Sequence, residues 1–380
     1  MEKFDWMQTI KTNIFFLKVV GLWPNKTYKL NLYTGYAIIS ILTFQVAHTA
    51  AQAINLLFIF DNFEAVMQTI LVLLTQILSI FKTYNFSRNM RILKQLIAAA
   101  SEHSFQPKTD TQISMIVAAF KLWKTMYRTM WIFCAGALFF WSIFPMIDTA
   151  AGQHRLPFLA WYPYNFKTSP LYEITYVYQV VSNCVIASST LNVDTLIAAL
   201  NIFTGAQFDI LCDDMRNLVL KERTTMKKLK SLINHHQEIL RFAEHSNQFL
   251  NWIILLQFFV SAVSLGMALF ELTVVVPFTN EFYSVVSYGS TIMVEIFMYC
   301  WFGNEIIIKS SNVAYAIFES DWTDAPLDVQ KCLLFFACRC QKPFKISALN
   351  LFYLSVDTFV KILKTAWSYF ALANNLNSTD

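Results

Sequence analysis

Seven apolar stretches recur along the chain, each long enough to cross a lipid bilayer as a helix. They lie at about 32–60, 63–81, 129–147, 171–203, 252–276, 282–308 and 344–376. A hydrocarbon core of roughly 30 Å needs about 20 predominantly apolar residues of helix. Inside lipid every backbone polar group must be satisfied within the protein, which restricts such a chain to helices or a closed barrel. Stretches of this length exclude the roughly ten-residue alternating strands of a barrel. Composition agrees: of 380 residues, 56% are hydrophobic and 14% are charged, where soluble domains carry about 25% charged residues. The pattern predicts an all-α, polytopic membrane protein, built as one seven-helix domain over residues 1–380.

Lysine and arginine set the orientation. Of the 29 in the chain, 25 fall before the first stretch, in alternate connectors after it or, for Lys345, at the inner start of the last stretch. Only Arg155 and Lys167 fall on the opposite side, and Lys361 and Lys364 lie within the last stretch. The N-terminus is therefore cytoplasmic, the loops at 148–170 and 277–281 are extracellular, and the C-terminus is extracellular. This inverts the layout of a G-protein-coupled receptor. Residues 1–31 hold only a short apolar piece closed by Pro24, expected as an amphipathic or re-entrant segment. Polar helical extensions at 204–250 and 309–345 project into the cytosol and are expected to act as anchor portions between subunits.

The last stretch carries an ordered set of polar residues. Ser347, Asn350, Asp357, Lys361, Lys364, Ser368 and Asn375 recur at helical steps, with Leu354 and Leu372 filling the gaps. Pro343 stands just before it, where a helix tolerates proline. The spacing predicts one helix over 344–376. An apolar helix with one polar stripe turns that stripe toward a bundle interior or a water-filled path, so this is a candidate pore helix. A bundle helix with internally paired polar residues would show the same stripe. Asp357 can pair with Lys361 one turn on.

Enzymatic chemistry has no foothold. The six histidines show no metal-binding spacing, and the eight glycines form no nucleotide loop. His235-His236 reads as a solvated helix face. Cys332, Cys338 and Cys340 lack the paired spacing of a zinc site. No catalytic residue, cofactor or metal is expected, and nothing suggests nucleic acid as a partner. No inverted repeat or Gly/Pro-broken pair of spans points to a transporter.

Several local sequences resemble the insect odorant receptor family. The most specific is Cys300-Trp301-Phe302-Gly303-Asn304-Glu305, followed by Ser310-Ser311 and by Trp322 and Pro326. Thr358-Phe359-Val360 and the run from Lys364 to Phe370 are similar to the family's C-terminal signature. Pro157-Phe158, Trp161-Tyr162-Pro163, Tyr176 and Gln179 are similar to its second outer loop and the start of its fourth span. The gustatory receptors' C-terminal pattern is absent, which leaves a gustatory-type channel as the nearest alternative and a transporter as a more distant one. The resemblance implies a ligand-gated, non-selective cation channel in the plasma membrane of an olfactory neuron dendrite. It implies a heterotetramer with the odorant receptor co-receptor, each subunit giving its last helix to the pore. Residues 204–250 are too short for the co-receptor's insertion, so the chain resembles a ligand-tuning subunit. By position the pore and gate fall on Ser368, Leu372, Asn375 and Leu376. The small volatile ligand is expected among spans two, three, four and six. Val66 and Ile70 on span two and Phe140 and Phe144 on span three are candidates. Tyr176, Gln179, Val180 and Asn183 on span four join them, with Tyr283, Ser287, Tyr288 and Thr291 on span six.

Overall fold

The computed structural model describes residues 4–24, 31–148, 155–219, 224–349 and 351–377. Two short helices, α1 (Trp6–Thr9) and α2 (Lys11–Val20), open the chain. Gly21 ends α2 in the left-handed conformation at φ 97, the usual role of glycine just past a helix. Nothing there spans; α2 lies against the fourth span, where Asn13 donates to Thr195 Oγ1 at 2.7 Å. The first span is α3 (Leu32–Ser40), a π-helical segment (Ile41–Ala47) and α4 (His48–Leu56). A carbonyl displaced by that wider turn, that of Thr43, accepts from the Tyr178 hydroxyl at 2.7 Å.

The second span is α5 (Phe63–Arg88), followed by the amphipathic helix α6 (Met90–Ala100). Then come α7 (Asp110–Asp148), α8 (Leu171–Arg216), α9 (Thr225–Val274) and α10 (Asn280–Phe318). These helices run well past their apolar stretches at the basic end. There Lys108 pairs with Asp214, Arg216 with Glu319, and Lys309 with Asp209 at 2.6 Å. The extensions of the third, fourth and sixth spans thus stand together on one side, as the charge asymmetry requires. At the other end Arg155 meets Glu281 at 3.1 Å.

The fourth span is the axis of the bundle. From Leu191 to Phe208 it is buried all round, because α2, α7, α9 and α10 pack around it. A helix enclosed on every side must be apolar or internally satisfied, and its polar residues here, such as Asn192 and Thr195, bond within the bundle. Among the described residues, six helical spans have both the length and the hydropathy to cross a membrane. The seventh, α12 (Val356–Asn377), has 22 residues, roughly 33 Å of helix.

Three expectations need correction. First, residues 344–355 are not helical. After α11 (Leu327–Cys340) the chain forms a hairpin of β1 (Ser347–Ala348) and β2 (Phe352–Tyr353), and the last helix begins only at Val356. Leu349 sits at φ 50 in the turn, and Leu354 is driven against Gly303 on α10. A β-carbon at Gly303 would stand 2.3 Å from that of Leu354. Tertiary contact overrides the helical spacing of this segment. Ser347 is consequently buried and bonded to Asn247 rather than lining a stripe; Asn350 lies outside the described residues. Second, His235 and His236 are buried, not solvated. His235 faces Gln207 at 3.3 Å and His236 packs edge-on against Phe336. Third, Lys82, counted with the cytoplasmic basic residues, lies within α5 with 1% of its side chain exposed.

Candidate functional site

A cavity of about 160 Å³ lies between α5, α7, α8 and α10, beneath the outer loop. Its roof is Phe158, stacked on Trp141 with ring centroids 5.0 Å apart and planes 11° from parallel. Phe158 is fixed through its backbone. Gln179 accepts from its N–H and donates to its carbonyl, both at 3.0 Å. Trp141 is fixed in turn by donating to the Ser284 carbonyl at 3.3 Å. The walls are mostly apolar, with Val72, Ala137, Leu138, Ile186 and Ile292 among them. That is the character of a site for a small organic molecule.

Polar groups interrupt the wall at fixed places. Tyr288 donates to the Leu71 carbonyl at 2.9 Å and lies 3.2 Å from Thr75 Oγ1. Thr190 donates to Ser79 at 2.8 Å, and Thr291 to the Ser287 carbonyl at 2.9 Å. Gln76 donates to Asn183 Oδ1 at 3.2 Å, and Asn183 reaches His48 Nε2 at 2.9 Å. Asp194 and Glu295 close the inner end of the cavity. Behind them Lys82 lies 2.8 Å from Asp194 and 2.9 Å from Glu295. Tyr299 donates to Asp194 at 2.8 Å.

Of the residues expected from sequence, Asn183, Tyr288 and Thr291 line this cavity. Tyr176 and Gln179 are buried beside it as supports. Gln179 holds the roof, and the Tyr176 hydroxyl donates to the Ser142 carbonyl on the turn before Pro145. Phe140 lines a smaller neighbouring hollow with Trp141 and Arg155 and stacks on Tyr283 at 6.3 Å. Val66, Ile70, Val180 and Ser287 are half-buried and outside the lining. The Phe144 side chain lies outside the described residues. Gln76, Trp141, Asp194 and Glu295 are not among the expected site residues, and Phe158, part of the outer-loop resemblance, is not among the expected ligand contacts. The two acids carried a signal, since ionisable residues inside apolar spans need a structural or functional reason.

The second feature is the face of α12. Its Ile362 and Ala366 are buried, and Tyr369 packs where a β-carbon at Gly266 of α9 would stand 2.8 Å away. Asp357, Lys361, Lys364, Ser368 and Leu372 point the other way and are exposed in the single chain. Asp357 pairs with Lys361 at 2.8 Å. The side chains of Asn375 and Leu376 lie outside the described residues.

An inverted seven-span bundle with a ligand-sized cavity under its outer loop, and a seventh helix bare on its polar side, defines a receptor of the helical membrane class. The comparisons give the family. The family model described as 7tm Odorant receptor matches residues 62–367, and the chain belongs to that family. It is 23% identical over 376 residues to Odorant receptor 46a, isoform A, of Drosophila melanogaster, covering 96% of each chain. It is 20% identical over 412 aligned residues to Odorant receptor Or1 of Anopheles gambiae, covering 99% of this chain and 97% of that one. The insect olfactory receptor OR5 of Machilis hrabei, solved in complex with eugenol, matches with a TM-score of 0.86 at 19% identity. The match covers 98% of this chain and 100% of that chain. The chain is thus an odorant receptor and a multi-pass membrane protein, not an enzyme.

Proposed function

We propose that the chain is the ligand-tuning subunit of a cation channel, and that a small volatile organic ligand occupies the cavity beneath Phe158. The observation that carries this reading is one helix shared by both features. α10 gives Tyr288, Thr291 and Glu295 to the cavity. About two to four turns further on, its Gly303 grips Leu354, immediately before α12. A ligand that binds better to one position of α10 therefore shifts the root of α12; differential affinity is what any ligand-driven change requires. Four subunits place their α12 helices around a common axis, with the exposed Ser368–Leu372 side inward and Asn375 and Leu376 beyond it. Leucines at the constriction close the path by excluding water. The inner ends of α8, α9 and α10 join the subunit to an odorant receptor co-receptor in the plasma membrane of the sensory dendrite.

The test is ligand-evoked current in cells expressing the chain with and without a co-receptor. Current only with the co-receptor, abolished by Ala137→Trp in the cavity wall, supports the reading. Leu372→Asp should add ligand-independent current, because a charged ring keeps the constriction wet. Robust current without the co-receptor, or full responses with Ala137→Trp, overturns it.

A further inference from the structure

The hydrogen-bonding capacity of the cavity is one-sided. Apart from the second N–H of Gln76, whose first goes to Asn183 at 3.2 Å, each strong donor group in its wall is already committed to a protein acceptor. Tyr288 gives its proton to Leu71, Thr75 to the Val72 carbonyl at 2.8 Å, Thr190 to Ser79 and Thr291 to Ser287. The Trp141 indole N–H goes to Ser284. Asn183 spends its amide on His48 and on the Gln179 carbonyl, at 2.9 Å each. What remains unmatched is an acceptor. Gln76 is 2% exposed, and its Oε1 is buried without a hydrogen-bond partner. Its orientation follows from the chain behind it. Asn183 uses its nitrogen as donor, so its Oδ1 must accept, and Gln76 must turn its nitrogen to Asn183 and its oxygen away. The carboxyl groups of Asp194 and Glu295 at the inner end are engaged by Lys82 and Tyr299, which leaves Gln76 Oε1 as the unmatched acceptor of the wall.

A buried acceptor left unmatched costs free energy, and a site built to satisfy a polar group of its ligand rejects analogues that lack it. We infer that this cavity selects molecules carrying a hydrogen-bond donor, namely alcohols, phenols or amines, over ethers, esters and ketones of the same shape, with Gln76 Oε1 as the recognising acceptor. The inference rests on the reading that the cavity is the ligand site. Size narrows it further: a cavity of about 150 Å³ holds benzene, so 160 Å³ suits a ligand of roughly six to eight heavy atoms.

Isomeric pairs separate the donor from size and hydrophobicity. Benzyl alcohol and anisole share one formula, as do hexan-1-ol and dipropyl ether. Their binding to the purified full-length chain, and their evoked currents with the co-receptor, would be measured for the parent, Gln76→Met and Ala137→Trp. The expected result is that each alcohol binds about tenfold or more tighter than its ether isomer. Gln76→Met should shrink that ratio to near one while leaving ether binding in place. If that variant fails to fold, the ratio in the parent still decides. Equal affinity of alcohols and ethers, with both lost in Ala137→Trp, overturns the donor preference and leaves the cavity as the ligand site. Binding untouched by Ala137→Trp overturns the cavity as the site. No binding of either alcohol up to its solubility limit overturns the inference as well.

Discussion

Lys82 offers the sharpest test of the interior. Its Nζ lies 2.8 Å from Asp194 and 2.9 Å from Glu295, and its side chain is 1% exposed. Lys82→Met removes the one cation facing two carboxyl groups. Breaking a buried pair from one side costs about 3–5 kcal/mol, because the partner is left uncompensated in low dielectric. Unfolding entropy of about 2.1 cal/mol/K per residue gives roughly 0.8 kcal/mol/K for 380 residues. The loss should therefore lower Tm by about 4–6 °C in detergent or nanodiscs, followed by intrinsic fluorescence. Replacing all three charged residues, with Lys82→Met, Asp194→Leu and Glu295→Gln, should recover most of that loss. Apolar substitution of a whole buried ion cluster is often neutral or stabilising. A Tm for Lys82→Met within about 1 °C of the parent, the range of an ordinary surface substitution, would mean that the carboxyl groups reach water or carry protons. The buried ion cluster would then be refuted.

Gly303→Ala should cost about 1–3 kcal/mol by overpacking, since its new β-carbon would meet that of Leu354 at 2.3 Å and the Leu354 carbonyl oxygen at 2.8 Å. Ligand-evoked current at matched surface expression should fall more than ligand binding does, because the contact lies between cavity and α12. Gln179→Leu strands the N–H and the carbonyl of Phe158, whose partners sit at 3.0 Å, at about 1–3 kcal/mol for each stranded group. A looser roof should speed current decay after ligand washout, and an unchanged decay would count against Phe158 as the lid. Tyr162 in the outer loop gives a pH signature. Burial pushes its phenol up to about 12, against a smaller opposing effect of the Gln179 hydrogen bond. An unfolded tyrosine releases its proton near pH 10, so this contribution is full below about pH 10 and is lost as pH rises toward 12. Tyr162→Phe should flatten the fall of Tm over that window.

The spans were legible because lipid imposes a length and a polarity that composition cannot hide, and their orientation was legible because 25 of the 29 Lys and Arg fall on one side. The same rule misplaced Lys82. It follows the last apolar residue of its stretch, and only the two acids on other helices reveal that it turns inward. The hairpin before α12 was illegible for a related reason. Residues 344–355 carry helical spacing, and what breaks the helix is Gly303, some 50 residues upstream, whose missing side chain admits Leu354. In the cavity, Tyr288 and Asn183 stood out as polar residues at membrane depth, whereas Gln76 looks in sequence like any other polar residue in a span. Its importance exists only through a relay. The Gln179 carbonyl and His48 on α4 hold the Asn183 nitrogen on α8, Asn183 turns Gln76 on α5, and the Gln76 oxygen is left buried without a partner. Specificity of this kind is set by which partners are already taken. It therefore belongs to the packed bundle and to no single stretch of the chain. Substituting His48, which does not line the cavity, should leave the donor preference in place, because the Gln179 carbonyl still holds the Asn183 nitrogen at 2.9 Å.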